Sequence, residues 1–345
     1  MTFCSPAHGG ADALGVPAHD LSSNVNACGP CPLAARALAA VDARAYPDPA
    51  YTRLRALLGA WHGVAASRIV MAASASEFIQ RLTAAVALQG DGHAPRRAVW
   101  LPRHAYGDYA RAARACGLPL AAAPDQAALL WACEPSSPLG QSQADLPALV
   151  AHLTPAQTLV LDEAYAPLRL QGACSLDTDA LQDVWRLITP NKALGLTGVH
   201  AAYAIAPRHA PADGLARVQA LAPSWPVGAH GVALLQAWAS NDVAAWLDDC
   251  RAQLADWRAR QADLLTQAGW RVLPGQAAFF TARPPLPLAQ LPTLLHALRQ
   301  QGFKLRDCAS FGLPGHARLA VVAPPVQDAL MRALPQAMKL VAESV

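Results

Sequence analysis

The sequence predicts an α/β protein, with a mostly parallel sheet between helices followed by a smaller α+β region. Three observations carry this. From Tyr51 to Pro207, short apolar runs alternate with segments of helical spacing. Continuous apolar runs, such as those within Ala127–Pro135 and Thr158–Tyr165, suit strands buried on both faces, which need helices on either side. After about Trp225 the pattern changes, and Gly231–Gly269 reads as one long helical region, or two helices. The composition agrees. The chain has 345 residues, 53% hydrophobic and 15% charged, enough for a large core and too apolar for disorder.

The elements follow in order. Residues 1–45 are irregular and rich in Gly, Pro and Asn, and read as an arm lying on the rest. Residues 46–228 form the large domain. It opens with a helix over Tyr51–Gly63, a strand over Arg68–Ala72 and a helix from Ser76 that ends at Gly90. Strands follow at Arg97–Pro102, Ala127–Pro135, Thr158–Tyr165, Trp185–Pro190 and His200–Pro207. Helices at Tyr106–Gly117 and Leu146–Leu153 lie between them. Residues 229–345 form the small domain. Strands are expected at Trp270–Pro274, Ala278–Ala282, Phe303–Cys308 and Ala317–Val322, with helices at Leu288–Gly302 and at the C-terminus.

Several function classes lack support. The formal net charge of +3 has no Lys/Arg-rich block behind it, which speaks against nucleic-acid binding. No apolar run reaches the roughly 18 residues that cross a bilayer. The N-terminus lacks a basic start and an apolar core, so it is not read as a secretory signal, and a cytoplasmic location is expected. The eight cysteines are scattered and expected as free thiols. Cys28 to Cys31 spell CGPC, like a thioredoxin-type site, but the motif follows no strand and runs into Pro32. It reads as a turn, and no second CxxC completes a metal site.

In α/β sheets, ligands bind beyond the carboxyl ends of the strands. Asp162 and Glu163 end one apolar run, and Tyr165 follows. Lys192 stands past the next run, in a stretch with no other Lys or Arg until Arg208. A buried ammonium is costly, and a lysine that loses its proton is a nucleophile able to form a Schiff base. The residues Ala73–Glu77, ASASE, join a strand to a helix and make an anion site at a helix N-terminus. Together these parts suit a phosphorylated, aldehyde-bearing, protonatable ring.

The order of motifs resembles the class I/II aminotransferase superfamily of pyridoxal-phosphate (PLP) enzymes, fold type I. It is most similar to the group of histidinol-phosphate aminotransferase and L-threonine-O-3-phosphate decarboxylase. The resemblance rests on SSNVNACGPCP, YPDP, ASASEFI, CEPSSPLG, LDEAY, TPNKALGLTGVHAAY and RDCASFGLPGHARLAV, in that order. It implies a large domain with a mostly parallel sheet of about seven strands, a smaller C-terminal domain and an N-terminal arm. It implies that Lys192 carries PLP, that Asp162 accepts the pyridinium N–H and that Tyr165 bonds the ring oxygen. Tyr106 would stack on the ring. Ala75, Ser76 and Thr189 would hold the phosphate, and Tyr46 would reach the neighbouring site of a homodimer. Arg318 would take a substrate carboxylate. His8, Asn26 and Arg306 would help to bind a small, phosphorylated amino-acid substrate.

The chain departs from the pattern at four places. Ser137 stands where the family has Asn beside the ring oxygen, and His200 where it has Arg on the phosphate. Asn191 replaces Ser or Thr before the lysine, and Ala72–Ser74 replaces Gly-Asn-Gly. Ala7–Gly10 and Arg306–Cys308 resemble the decarboxylases, whereas SFGLPGHARLAV is closer to the aminotransferases. The sequence leans to the decarboxylase, with the transaminase as the alternative and a non-catalytic PLP-binding protein as a third reading.

Overall fold

The computed structural model describes residues 8–89 and 97–343. Two sheets dominate it. The larger has six strands: β2 (Ile69–Ala72), β3 (Val99–Trp100), β4 (Leu129–Cys133), β5 (Thr158–Asp162), β6 (Trp185–Ile188) and β7 (Ala202–Ile205). Their order is β2-β7-β6-β5-β4-β3, and only β7 runs against its neighbours. The smaller sheet is antiparallel, with the order β11-β12-β9-β8, from β8 (Arg271–Val272), β9 (Phe279–Arg283), β11 (Arg306–Asp307) and β12 (Ala317–Ala320).

Alternation along the strands sorts the core. Leu129 and Trp131 of β4 and Val160 of β5 join one cluster with α3 (Ala75–Ala87), α4 (Gly107–Ala115) and Val218 of α6 (Ala212–Ala220). Leu130 and Ala132, with Leu159 and Leu161, turn to the opposite face and meet Leu146 of α5 (Leu146–Ala151). A third cluster joins α2 (Thr52–His62), α7 (Ala229–Trp238) and α8 (Asn241–Gln267) to the small sheet, α9 (Leu291–Gln300) and α10 (Pro324–Glu343).

The expected class is the observed one, and the differences are local. The large sheet has six strands among the described residues, not seven. Beyond β3 the chain adds a single parallel bridge, Val99 to Leu120, because β3 is two residues long and Pro119 offers no N–H to extend a ladder. Residues 303–308 form two strands. β10 (Phe303–Lys304) pairs with β1 (His19–Asp20) of the arm, while β11 pairs with β12. The long helical region breaks at Ser240, whose hydroxyl caps α8 by accepting from Val243 N–H. The arm, read as irregular, contains α1 (Pro32–Ala39), with Pro at its first position. The helix end expected at Gly90 lies outside the described residues, as does Cys4.

Candidate active site

The arm fixes the segment that carries Lys192. Asn26 N–H donates to Lys192 O at 3.0 Å, and Cys31 N–H donates to Leu194 O at 2.8 Å. The Asn26 side chain donates to Ala193 O at 2.9 Å and accepts from Cys28 N–H at 3.0 Å. Gly195, at φ 69°, packs so closely on the arm that a Cβ there would stand 2.7 Å from Gly29 O. The CGPC turn is therefore a clamp on the lysine loop. Its chemistry fits a structural role. Cys31 is fully buried, and burial, with Cys250 beside it, pushes the Cys28 thiol up to about 12, the reverse of a reactive thiol. The seven described cysteines are free.

Lys192 opens into a cavity of about 630 Å³ between the carboxyl ends of the large sheet and the small sheet. Asp162, at the end of β5, is only 4% exposed. Its carboxylate accepts from Tyr109 O–H at 2.7 Å and from Ala164 N–H at 2.9 Å. Burial pushes its pKa up, while those two donors and Lys192 oppose that shift. Tyr109 is itself stacked on Trp131, with ring centroids 4.6 Å apart. Lys192 Nζ lies 5.2 Å from the centre of the Tyr165 ring, and that ring is braced edge-on by Phe279.

The N-terminus of α3 faces the same cavity. Ser74 caps it by accepting from Glu77 N–H at 3.1 Å. The N–H groups of Ala75 and Ser76 fall in the first turn, where a helix supplies no acceptor. Thr189 is buried, lines the cavity, and its Oγ1 has no hydrogen-bond partner among the described residues. Tyr106 stands before α4, its ring 6.3 Å from that of His8. His200 lies on the wall and is exposed.

The small sheet adds two guanidinium groups. Arg318 donates to Ser137 Oγ at 2.8 Å and to Ser22 O at 2.6 Å. Its Nε is buried without a partner among the described residues. Arg306 donates to Ser310 Oγ at 2.7 Å and to Asp307 O at 3.0 Å. Burial lowers its pKa, and Arg318 adds to the effect.

One residue expected in this cavity stands outside it, while Tyr46, expected to serve a neighbouring subunit's site, is at the surface. Asn26 does not line the cavity; its amide is engaged on the lysine loop. Tyr46 is 78% exposed and stacks on Trp225 at the surface. Sequence reasoning missed Tyr109, Ser22, Asp108 and Arg111, all of which line the cavity. Tyr109 had a signal, since it follows Tyr106 on the helix after a strand. Ser22 acts through its backbone and had none.

The residues present fit PLP. A lysine amine, a buried carboxylate on the wall, a threonine hydroxyl without a partner among the described residues and a helix N-terminus surround one space. These are the partners that an aldehyde, a pyridine nitrogen and a phosphate require.

The fold and the site define a PLP-dependent enzyme of fold type I. The sequence profile of the family described as aminotransferase class I and II matches residues 17–334, and the chain belongs to that family. Histidinol-phosphate aminotransferase 2 of Caulobacter vibrioides is 32% identical over 344 residues, covering 93% of this chain and 86% of that protein. The crystal structure of histidinol-phosphate aminotransferase from Sinorhizobium meliloti in complex with pyridoxal-5'-phosphate aligns with a TM-score of 0.76 at 20% identity, covering 95% of this chain and 92% of that one. L-threonine-O-3-phosphate decarboxylase from Porphyromonas gingivalis aligns with a TM-score of 0.75 at 19% identity, over 92% and 99% of the two chains. These matches favour the transaminase over the decarboxylase to which the sequence leaned. Among the described residues, no helix is long and apolar enough to cross a membrane, and no cluster of His, Cys, Asp and Glu could hold a metal.

Proposed function

We propose that the protein is a PLP-dependent aminotransferase of the histidinol-phosphate type, acting on a small phosphorylated amine. The observation that carries this is the pair Arg306 and Arg318, which face the cavity that Lys192 enters. A transaminase of this type must seat a phosphate in one half-reaction and two carboxylates in the other. Two adjacent guanidinium groups can serve both, since each binds either anion through its planar fork.

When bound, PLP supplies an electron sink for the pair released as a bond to the substrate Cα breaks. The chain does the rest. Lys192 would hold the cofactor at its aldehyde and would move the proton at the substrate Cα through its amine. Asp162, oriented by Tyr109 and Ala164, holds a proton on the ring nitrogen. Tyr165 and Tyr106, both on the cavity wall, would hold the ring, Tyr165 through its hydroxyl and Tyr106 through its aromatic face. Ala75, Ser76 and Thr189 take the phosphate. Ser137 turns its hydroxyl to Arg318 and so positions that guanidinium. The exposed Tyr46–Trp225 stack suits contact with a second copy in a homodimer.

A second reading, decarboxylation of L-threonine-O-3-phosphate, has one observation in its favour. His8, Gly9 and Gly10 of the arm line the cavity together with Arg306, a place for a phosphate beside a carboxylate on Arg318. The test is to give purified protein histidinol phosphate with 2-oxoglutarate, then threonine phosphate alone. Glutamate in the first mixture is expected. Carbon dioxide from the second, without glutamate from the first, would overturn the transaminase.

A further inference from the structure

The anion end of the cavity has a charge problem. A phosphate ester carries roughly −1.5 to −2 charges at neutral pH, and a helix N-terminus offers only about half a positive charge. Lys192 is committed to the aldehyde. His200 lies on the wall and is exposed. A carboxylate makes matters worse, because Asp108 lines the same cavity and is 1% exposed. A buried carboxylate beside a phosphate repels it unless a cation stands between them.

That cation is present one helical turn along α4. Arg111 lines the cavity, and its Nη2 lies 3.1 Å from Asp108 Oδ1. The other Asp108 oxygen accepts from Ser76 O–H, and Ser76 belongs to the first turn of α3. Asp108 thus ties the guanidinium of α4 to the N-terminus of α3. Arg111 Nε is buried and has no hydrogen-bond partner among the described residues. Arg114, also on the wall, is exposed and lacks such a brace among the described contacts.

We propose that Arg111, set in place by Asp108, is the permanent cation for the cofactor phosphate in this chain, which has His200 where the family pattern has Arg. Asp108 is then a positioning residue. Its charge is offset by Arg111, and its second oxygen holds the Ser76 hydroxyl. The inference rests on PLP as the cofactor, not on which reaction follows.

The test separates grip on the phosphate from bonding at the aldehyde. Full-length protein freed of cofactor is titrated at pH 8 with pyridoxal phosphate and with pyridoxal, which lacks the phosphate. Absorbance reports the linkage to Lys192. Arg111→Gln should weaken pyridoxal phosphate about 30-fold or more and leave pyridoxal within about threefold of the parent. Arg111→Lys should recover part of the loss, because the charge returns without the fork. Asp108→Asn should weaken pyridoxal phosphate by roughly tenfold, again sparing pyridoxal. Equal losses for both ligands, or no loss for either, would reduce Arg111 and Asp108 to a helix ion pair and overturn the proposal. If Arg111→Gln does not fold, Arg111→Lys and Asp108→Asn decide the matter by the same ratio. A parent protein that binds neither ligand would overturn the cofactor assignment instead.

Discussion

Arg306 and Arg318 stand directly opposite each other across the antiparallel strands β11 and β12. Residues so paired share a face of the sheet, and like charges there destabilise it. Both are nearly buried, and both lie over the Phe311 ring, at 4.9 and 5.6 Å. The fold tolerates this repulsion because each has polar partners and an aromatic face, and because the site expects anions.

The proposed function predicts that the pair shares out a phosphorylated donor, with Arg318 on the carboxylate of an amino acid and Arg306 on the phosphate. Arg318→Ala should lower kcat/KM for every amino-acid donor by some 30- to several-thousand-fold, the loss of a desolvated charge pair at about 2–5 kcal/mol. Arg306→Ala should lower it for phosphorylated substrates selectively. Steady-state kinetics with a phosphorylated and an unphosphorylated amine settle the point. Equal loss on both would remove Arg306 from that task. Arg306→Ala should also stabilise the substrate-free protein slightly, since one of two opposed charges is gone.

Lys192 should be the sole attachment point of the cofactor. Purified protein should absorb near the visible edge, and borohydride should fix the cofactor to a peptide containing Lys192. Lys192→Ala should leave nothing to reduce and lower turnover by orders of magnitude. A reducible linkage surviving in that variant would place the attachment elsewhere.

How much of this was legible differs residue by residue. Asp162 and Lys192 could be read because each ends or follows a continuous apolar run, and a strand end in an α/β sheet is where ligands bind. Arg111 could not. At sequence level, Asp108 and Arg111 spell an ordinary helix pair, and only the approach of α3 to α4 brings Ser76 and the cavity beside them. Asn26 was misjudged because its partner, Ala193, lies 167 residues away, a separation no local pattern reports. The helix α1 was hidden by the Gly, Pro and Cys before it, although Pro32 and the Ala-rich run after it carried its signal. Residues 303–308 looked like one strand because both halves have strand character. Only the arm, pairing with the first half, shows that they serve two sheets.

The last prediction concerns a histidine remote from the reaction. His62 Nε2 lies 2.6 Å from Tyr203 Oη, and Trp238 Nε1 donates to the same oxygen at 3.0 Å. Tyr203 therefore donates its own proton to a neutral imidazole. Burial, then the nearby Arg186, hold His62 down to about 4, against about 6.5 in an unfolded chain. A base with a lowered folded pKa binds fewer protons in the native state than in the unfolded one between those values. Its contribution to stability is complete above about pH 6.5 and is lost as pH falls through about 4. The loss approaches about 3 kcal/mol, at roughly 1.4 kcal/mol per pH unit. Denaturant unfolding between pH 7 and pH 4 should therefore show a steeper fall for the natural protein than for His62→Asn. The variant should start about 1 kcal/mol less stable at pH 7, having lost the tyrosine's acceptor, and the two curves should cross just below about pH 6 and leave the variant the more stable of the two, by about 2 kcal/mol, at pH 4. Comparing the slopes removes the other histidines and the carboxylates, which titrate in both proteins. Parallel curves would mean that His62 takes up its proton without leaving the Tyr203 network, and the assignment of a neutral, accepting imidazole would fall.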